Sequence, residues 1–165
     1  MNIRQNQVEK VAMDHYGVAP SRANAISNKE IIRSFIECVW NGRQLDQINE
    51  FISCDYQDFS FLPAIPPTKA GLRSWIENTS AAFDHKTTIE SILQEADEVA
   101  VRITFEVKHI GVWRNIAPTG RTIAIKGFRF FRLTNNKITH HWALIDGEAL
   151  QTALTDQYHG CEVRS

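Results

Sequence analysis

The spacing of hydrophobic residues changes near the middle of the chain. Between about residues 27 and 83, apolar residues recur every three or four positions, which is the spacing of one buried helix face. From about residue 87 they recur at every second position, as in strands with one buried face. Helices first and long strands afterwards predict an α+β fold, in which helices pack on one face of a curved antiparallel sheet.

Three helices and a short strand are predicted in the first half. Ser27 and Glu30 have the spacing of a capping box, and an apolar helix face follows from Ile31 to Trp40. Gly42 is expected to end this helix, because glycine is favoured just after a helix C-terminus. The other elements predicted here are a short helix at 45–52, a strand at 55–62 and a helix at 68–83.

The second half predicts strands joined by tight connections. Alternation is clearest at 98–109. The strand predicted at 121–133 changes its apolar phase from Ile125 to Phe128, and the intervening Gly127 suggests a β-bulge. The other predicted elements are a strand at 87–93, a turn at 134–136, a final strand from 137 and a short helix at 148–154.

The composition limits which class of protein this chain belongs to and which partners are expected. The chain has 165 residues, 43% hydrophobic and 22% charged, with a net charge of -1, which is typical of a soluble globular protein. We expect one domain at 27–156, an N-terminal arm or short helix at 1–26 and a tail at 157–165. No basic stripe or long apolar run is present, so neither nucleic acid nor a membrane is an expected partner. Three widely spaced cysteines favour a reducing, cytoplasmic location.

The final strand carries a candidate acid/base residue. Ile138, His140, Trp142, Leu144 and Asp146 lie two positions apart, so a regular strand would present them on one face. A carboxylate at the end of an apolar face would have a raised pKa and could act as a general acid or base. Asp is also a favoured helix N-cap, and that structural role is an alternative for Asp146.

His109 is the second candidate, because it ends the strand at 98–109 on that strand's apolar face. If the two strands are neighbours, His109 and Asp146 could share a pocket, where the imidazole would orient the carboxylate or stabilise an enolate oxygen. A buried histidine with a purely structural hydrogen bond is an equally open interpretation.

Aromatic side chains are abundant enough to line a pocket for a flat, apolar, oxygenated ligand. We expect no metal site, because the adjacent His140 and His141 would point to opposite faces, with His141 outside, and no metal-binding motif is present. No organic cofactor is expected. The predicted ligand-binding residues are Tyr56, Phe59, Trp75, Phe105, Phe128, His140 and Trp142.

Short segments between residues 28 and 154 carry a family resemblance through their order and spacing. They are Trp40-Asn41-Gly42, Leu45-Asp46, Gly71-Leu72-Arg73, the run 96–102, His109-Ile110-Gly111, the run 116–121, Gly127, Phe131-Arg132, Lys137-Ile138, His141-Trp142 and Asp146. In this arrangement the chain resembles the SnoaL-like polyketide cyclases, also called ester cyclases, of the nuclear transport factor 2-like superfamily.

The resemblance implies a cone-shaped sheet closed by helices, a homodimer, and cofactor-independent intramolecular aldol ring closure of a small hydrophobic, polyketide-like substrate. It implies that Asp146 moves the proton, and that His109 occupies a position where the family often keeps a histidine. Phe59 stands where the family frequently has a histidine. Related isomerases and lyases, a hydrolase or dehydratase, and a non-catalytic ligand-binding or dimerisation domain are alternatives within the same fold.

Overall fold

A computed structural model describes residues 26–60 and 64–156 of the chain. The helices are α1 (Asn28–Ser34), which continues directly as a π-helix (Phe35–Asn41), a 3₁₀ turn (Leu45–Gln47), α2 (Ile48–Phe51), α3 (Lys69–Ala82) and α4 (Gly147–Thr155). The strands are β1 (Ile52–Asp58), β2 (Phe83–Glu95), β3 (Glu98–His109), β4 (Thr122–Thr134) and β5 (Lys137–Ile145).

The five strands form one open sheet in the order β1-β5-β4-β3-β2. Strand β1 runs parallel to β5, whereas the other neighbouring pairs are antiparallel, so the sheet is mixed. The helices pack on one face, here called the inner face, and the opposite side is the outer face. The predicted α+β fold is therefore confirmed, with a parallel edge strand that the sequence pattern did not show.

The main core lies between the first helix and the inner face of the sheet. Ile32, Ile36 and Val39 come from the helical segment and join residues of β3 in one buried cluster. The β3 members of that cluster are Val99, Val101 and Ile103, which occupy every second position of the strand. The apolar helix face and the apolar strand face predicted from the sequence thus pack against each other.

The first helix begins and ends where its sequence signals predict. The Ser27 hydroxyl accepts from the Glu30 N–H, and the Glu30 carboxylate accepts from the Ser27 N–H at 2.9 Å, which completes the capping box. The helix ends at Asn41, before Gly42. The Asn41 side chain bonds both backbone groups of Thr87, at 3.0 Å and 2.8 Å, and so fixes this helix end to β2.

Strand β4 does not change phase at Gly127, so the predicted bulge there is wrong. The register against β3 is unbroken from Thr122 to Arg132, with Gly127 opposite Ile103. A Cβ at Gly127 would lie only 3.0 Å from the Leu144 carbonyl oxygen, so the glycine allows close packing of strands. Consequently Phe128 faces outward.

A β-bulge that matters for the site lies in β5. Leu133 of β4 pairs with Ile138 and Arg132 pairs with His140, so Thr139 is the extra residue. This insertion reverses the alternation that follows it. His141 is 4% exposed on the inner face. The predictions that His140 and Trp142 face inward and that His141 faces outward are therefore wrong.

The predicted domain boundaries stay predictions, and most of the predicted arm and all of the predicted tail lie outside the described residues. Within the described ranges, none of the helices is both long enough and apolar enough to cross a membrane. Cys38 and Cys54 are both free thiols.

Candidate active site

A cavity of about 360 Å³ lies between the helices and the inner face of the sheet. Most of its wall is apolar, with aliphatic and aromatic side chains from α3, α4 and three strands. Representative members are Leu72, Trp75, Phe83, Phe105, Ile145 and Leu150. Polar groups enter this wall at a few places, as in small-molecule sites generally. Arg129 and His141 are the two that carry titratable groups from neighbouring strands β4 and β5.

His141 is joined to a buried carboxylate. Its Nδ1 lies 2.6 Å from Asp58 Oδ2, and its Nε2 lies 3.4 Å from Nη1 of Arg129. An ionised carboxylate can only accept a hydrogen bond, and a guanidinium can only donate one. Both partners therefore require the same neutral tautomer, with the proton on Nδ1 and the lone pair on Nε2.

Asp58 is held as a carboxylate by three donors. Burial opposes its ionisation, but hydrogen bonds from His141, from Tyr56 and from the Ser60 N–H outweigh it, so the pKa of Asp58 lies below its usual value. The Tyr56 hydroxyl donates at 2.6 Å and the Ser60 N–H at 2.8 Å. Burial and the Asp58 charge raise the pKa of Tyr56 well above 10, so its hydroxyl remains a donor.

The imidazole of His141 is kept unprotonated by its surroundings. Burial lowers its pKa, and the nearby charge of Arg129 lowers it further, against the opposing effect of Asp58. The ring also stacks on Phe131, with centroids 4.7 Å apart. A neutral imidazole can accept a proton at Nε2 once the long hydrogen bond from Arg129 to this atom is released, and Asp58 would then stabilise the imidazolium that forms.

Arg129 places a positive charge beside this pair. Burial lowers the pKa of Arg129 to about 10, so the guanidinium remains charged at neutral pH. The carboxylate of Asp58 compensates this charge from the far side of His141. The guanidinium carbon lies 4.1 Å from the ring centroid of Trp40, which is within cation–π distance.

The parallel pairing of β1 with β5 brings the site together. Asp58, the last residue of β1, is opposite His141 in the register. The next residue, Phe59, donates its N–H to the His141 carbonyl at 2.9 Å, and the Ser60 hydroxyl accepts from the Ala143 N–H. Two residues 83 positions apart in sequence are thereby held side by side by backbone pairing.

Asp146 and His109 occupy structural positions. Asp146 is exposed and is the N-cap of α4, accepting from the Ala149 N–H at 2.8 Å. His109 is fully buried, and its Nδ1 accepts from the Thr119 N–H at 3.2 Å. Neither side chain is among the described residues that line the cavity. Their predicted catalytic roles stay predictions.

The predicted ligand-binding residues divide between the two faces. Trp75 and Phe105 line the cavity, and Tyr56 supports it through Asp58. The other four lie on the outer face: Phe128 is 46% exposed, and Phe59, His140 and Trp142 stack on one another. The expectation that these four face the pocket is wrong, because of the unbroken phase of β4 and the bulge in β5. Whether they bind a ligand stays a prediction.

The sequence did not identify Asp58, Arg129 or Trp40 as site residues, and His141 was expected outside the pocket. The alternation of β4 contained a signal for Arg129, because Ile125 and Phe131 are in phase with it and both are buried. Trp40 gave no signal beyond its place on an apolar helix face. In the described part of the chain, no three His, Cys, Asp or Glu side chains come together as a metal site.

Comparisons with known proteins agree with this fold. AclR of Streptomyces galilaeus, described as a candidate hydroxylase, is 26% identical with a TM-score of 0.68, over 77% of this chain and 94% of its own. IdmH of Streptomyces antibioticus, a candidate polyketide cyclase, is 23% identical with a TM-score of 0.69, over 78% and 98%. A SnoaL-like polyketide cyclase structure from Jannaschia sp. CCS1 is 15% identical with a TM-score of 0.71, over 81% and 99%.

A comparison with curated proteins finds no match. The sequence profile of the SnoaL-like polyketide cyclases matches residues 30–154, which is well over half of the chain and includes Asp58, Arg129 and His141. The nuclear transport factor 2-like fold of the structural neighbours agrees with this match. The chain belongs to the SnoaL-like polyketide cyclase family.

Proposed function

We propose that this protein is a cofactor-independent enzyme that uses His141 and Asp58 to move a proton on a small, hydrophobic, oxygenated substrate. The observation that carries the proposal is the neutral imidazole in the wall of an apolar cavity, held in one tautomer by a buried carboxylate. Membership of a polyketide cyclase family supports an enzyme. Intramolecular aldol ring closure is the reaction that best fits both.

The ring closure can be balanced with these groups alone. Nε2 of His141 would take a proton from a carbon next to a carbonyl, and the resulting enolate would attack a second carbonyl of the same molecule. The alkoxide formed would take the proton back from His141, so the reaction needs no oxidant or reductant. Asp58 would stabilise the imidazolium, and the Arg129 charge would stabilise the enolate. An isomerase or lyase would share the first of these steps.

The proposal is testable without the natural substrate. Proton removal next to a carbonyl causes deuterium exchange in D₂O, which NMR can follow on 2-tetralone, a bicyclic ketone small enough for the cavity. We expect the wild-type protein to accelerate this exchange. His141→Gln should reduce the acceleration by roughly 10²–10⁴-fold, the usual contribution of a positioned acid/base.

The adjacent histidine supplies the matched control. His140→Gln removes an imidazole from the outer face and should leave the exchange rate unchanged. Equal exchange by the wild-type and His141→Gln proteins would contradict the proposal. Absence of any acceleration by the wild-type protein would favour the alternative of a non-catalytic binding domain.

We also propose that the outer face of the sheet pairs two copies of this chain. Phe130 is 51% exposed and Leu144 is 74% exposed, and both lie on the outer face of neighbouring strands, beside Phe128. Contiguous exposed apolar side chains on a soluble protein mark an interaction surface. Phe130→Ser should shift the protein from dimer to monomer in sedimentation equilibrium. Val112→Ser, which removes an exposed apolar side chain from the connection between β3 and β4, should not.

A further inference from the structure

Two buried N–H groups in the cavity wall have no hydrogen-bond partner. Within the described residues, nothing accepts from Nε1 of Trp40 or from Nε of Arg129. Both residues are only 2% exposed, and both line the cavity. Buried polar groups are nearly always paired, so an unpaired one calls for an explanation. Here there are two, and they belong to side chains in contact with each other.

The two groups share one chemical requirement. The Arg129 guanidinium lies over the Trp40 ring, with 4.1 Å from its carbon to the ring centroid. An indole N–H and a guanidinium N–H are donors only. The group that satisfies them must therefore be an acceptor, such as an oxygen of a small organic ligand.

Charge favours an oxygen that is negative. The Asp58 carboxylate already accepts from His141, Tyr56 and the Ser60 N–H, and Arg129 reaches it only across the His141 ring. The guanidinium thus has no direct carboxylate partner among the described residues. A ligand oxyanion in the cavity would give it one, and hydrogen bonds between charged groups are the stronger kind.

We propose that Trp40 Nε1 and Arg129 Nε form an oxyanion-binding corner that selects ligands with a planar, conjugated oxyanion on an apolar body. Carboxylates and the enolates of 1,3-dicarbonyl compounds belong to this class. This inference deepens the proposed function. The reaction of such a ligand rests on the proposed function, whereas its binding does not. Since Arg129 also lies 3.4 Å from His141, the carbon next to the bound oxygen group would lie beside the base.

A pair of probes tests the corner directly. 2-Naphthoate carries the oxyanion, and 2-ethylnaphthalene offers a similar apolar body with no acceptor. At pH 7, quenching of tryptophan fluorescence should show the wild-type protein binding 2-naphthoate at least roughly ten-fold more tightly. Trp40→Phe keeps an aromatic ring beside Arg129 but removes the indole N–H together with one ring of the indole. It should weaken 2-naphthoate binding by roughly ten-fold more than it weakens 2-ethylnaphthalene binding.

Trp75→Phe is the matched control, because it makes the same substitution elsewhere in the same cavity. It should change the affinity for both probes by the same factor. A second measurement uses only the wild-type protein, so it does not depend on whether a variant folds. The chain has four tryptophans, so four indole N–H signals are expected in a ¹H–¹⁵N spectrum. 2-Naphthoate, but not 2-ethylnaphthalene, should move the Trp40 signal downfield.

Several results would contradict the proposed oxyanion-binding corner. Equal affinity of the wild-type protein for the two probes, absence of 2-naphthoate binding, or an unmoved Trp40 signal would each do so, and a resident water would then be the better partner for both donors. The proposed function fails separately. His141→Gln should keep the preference for 2-naphthoate while it loses 2-tetralone exchange, so a missing preference and a missing reaction are distinguishable.

Discussion

At the centre of the β4–β5 strand pair, both faces depart from the usual composition of a sheet. A half-buried antiparallel sheet normally buries apolar residues and exposes polar ones. Here the buried face carries Arg129 and His141, whereas the exposed face carries Phe128, Phe130 and Trp142. Such an inversion is costly on both faces, because buried charge needs partners and exposed aromatic surface needs a cover. This contrast supports the two proposals made above, a catalytic role for the inner face and a dimer contact on the outer face.

The largest expected effect comes from the carboxylate behind the base. Asp58→Asn keeps the shape of the side chain but removes the charge that would stabilise the imidazolium, so 2-tetralone exchange should fall by roughly a hundred-fold or more. Asp55→Asn, at an exposed position of the same strand, should leave it unchanged. Equal losses in the two variants would remove the distinction between the faces.

Arginine substitutions test the same contrast through stability. Arg129→Met removes the charge that faces Asp58 across the His141 ring, together with the cation–π contact with Trp40, so the free energy of unfolding should fall by about 1–3 kcal/mol in urea titrations. Arg132→Met removes an exposed ion pair with Glu98 and should leave that free energy nearly unchanged. Similar losses for both arginines would contradict the account.

The pH dependence of stability should report the buried histidines. Burial lowers the pKa of His85 to about 4, with the charge of Arg43 next in importance. Between pH 6.5 and 4 the unfolded chain therefore binds a proton that folded His85 does not, and stability falls as the pH falls through that window. The lowered pKa of His141 adds to this loss.

His85→Gln should make the free energy of unfolding less dependent on pH between 6.5 and 4, measured by urea unfolding at several pH values. His140→Gln, which changes an outer-face histidine, is the comparison variant. An unaltered slope in the His85→Gln protein would show that this residue is not the neutral, buried group that the structure describes.

The smallest effect concerns Asp146, where the sequence-based prediction and the structure point to different roles. Asp146 is the N-cap of α4, so Asp146→Ala should lower the free energy of unfolding of the protein by about 1 kcal/mol, measured by thermal or urea unfolding. Asn is also a good cap, so Asp146→Asn should keep both stability and 2-tetralone exchange. Loss of exchange in a fully stable Asp146→Asn protein would restore the catalytic role that the family resemblance implies.

The fold could be predicted because each period of hydrophobic residues matched one layer of the molecule. The capping box at Ser27 and the alternation at 98–109 are local signals, and the structure confirms both. The helix predicted at 68–83 is observed as Lys69–Ala82. These elements depend on neighbours in sequence, so sequence pattern alone was sufficient.

The site could not be predicted in the same way, because the alternation rule assumes that polar residues face outward and aromatic residues inward. Arg129 and Phe128 both break this rule, because the arginine is buried and the phenylalanine is exposed. Their positions therefore suggested a bulge at Gly127 that is not present. The bulge at Thr139 could not be predicted from the sequence pattern, because it depends on how β5 pairs with β4. The partnership of Asp58 with His141 depends on the parallel pairing of strands far apart in sequence.

The most direct test of the proposed base is the protonation state of His141 in the wild-type protein at pH 7. Long-range ¹H–¹⁵N NMR distinguishes the two ring nitrogens, and the His141→Gln variant identifies the signals by their loss. We predict a proton on Nδ1, shared in a hydrogen bond with Asp58, and an unprotonated Nε2 in the cavity wall. A proton on Nε2, with or without one on Nδ1, would contradict it, because no base would then be present there.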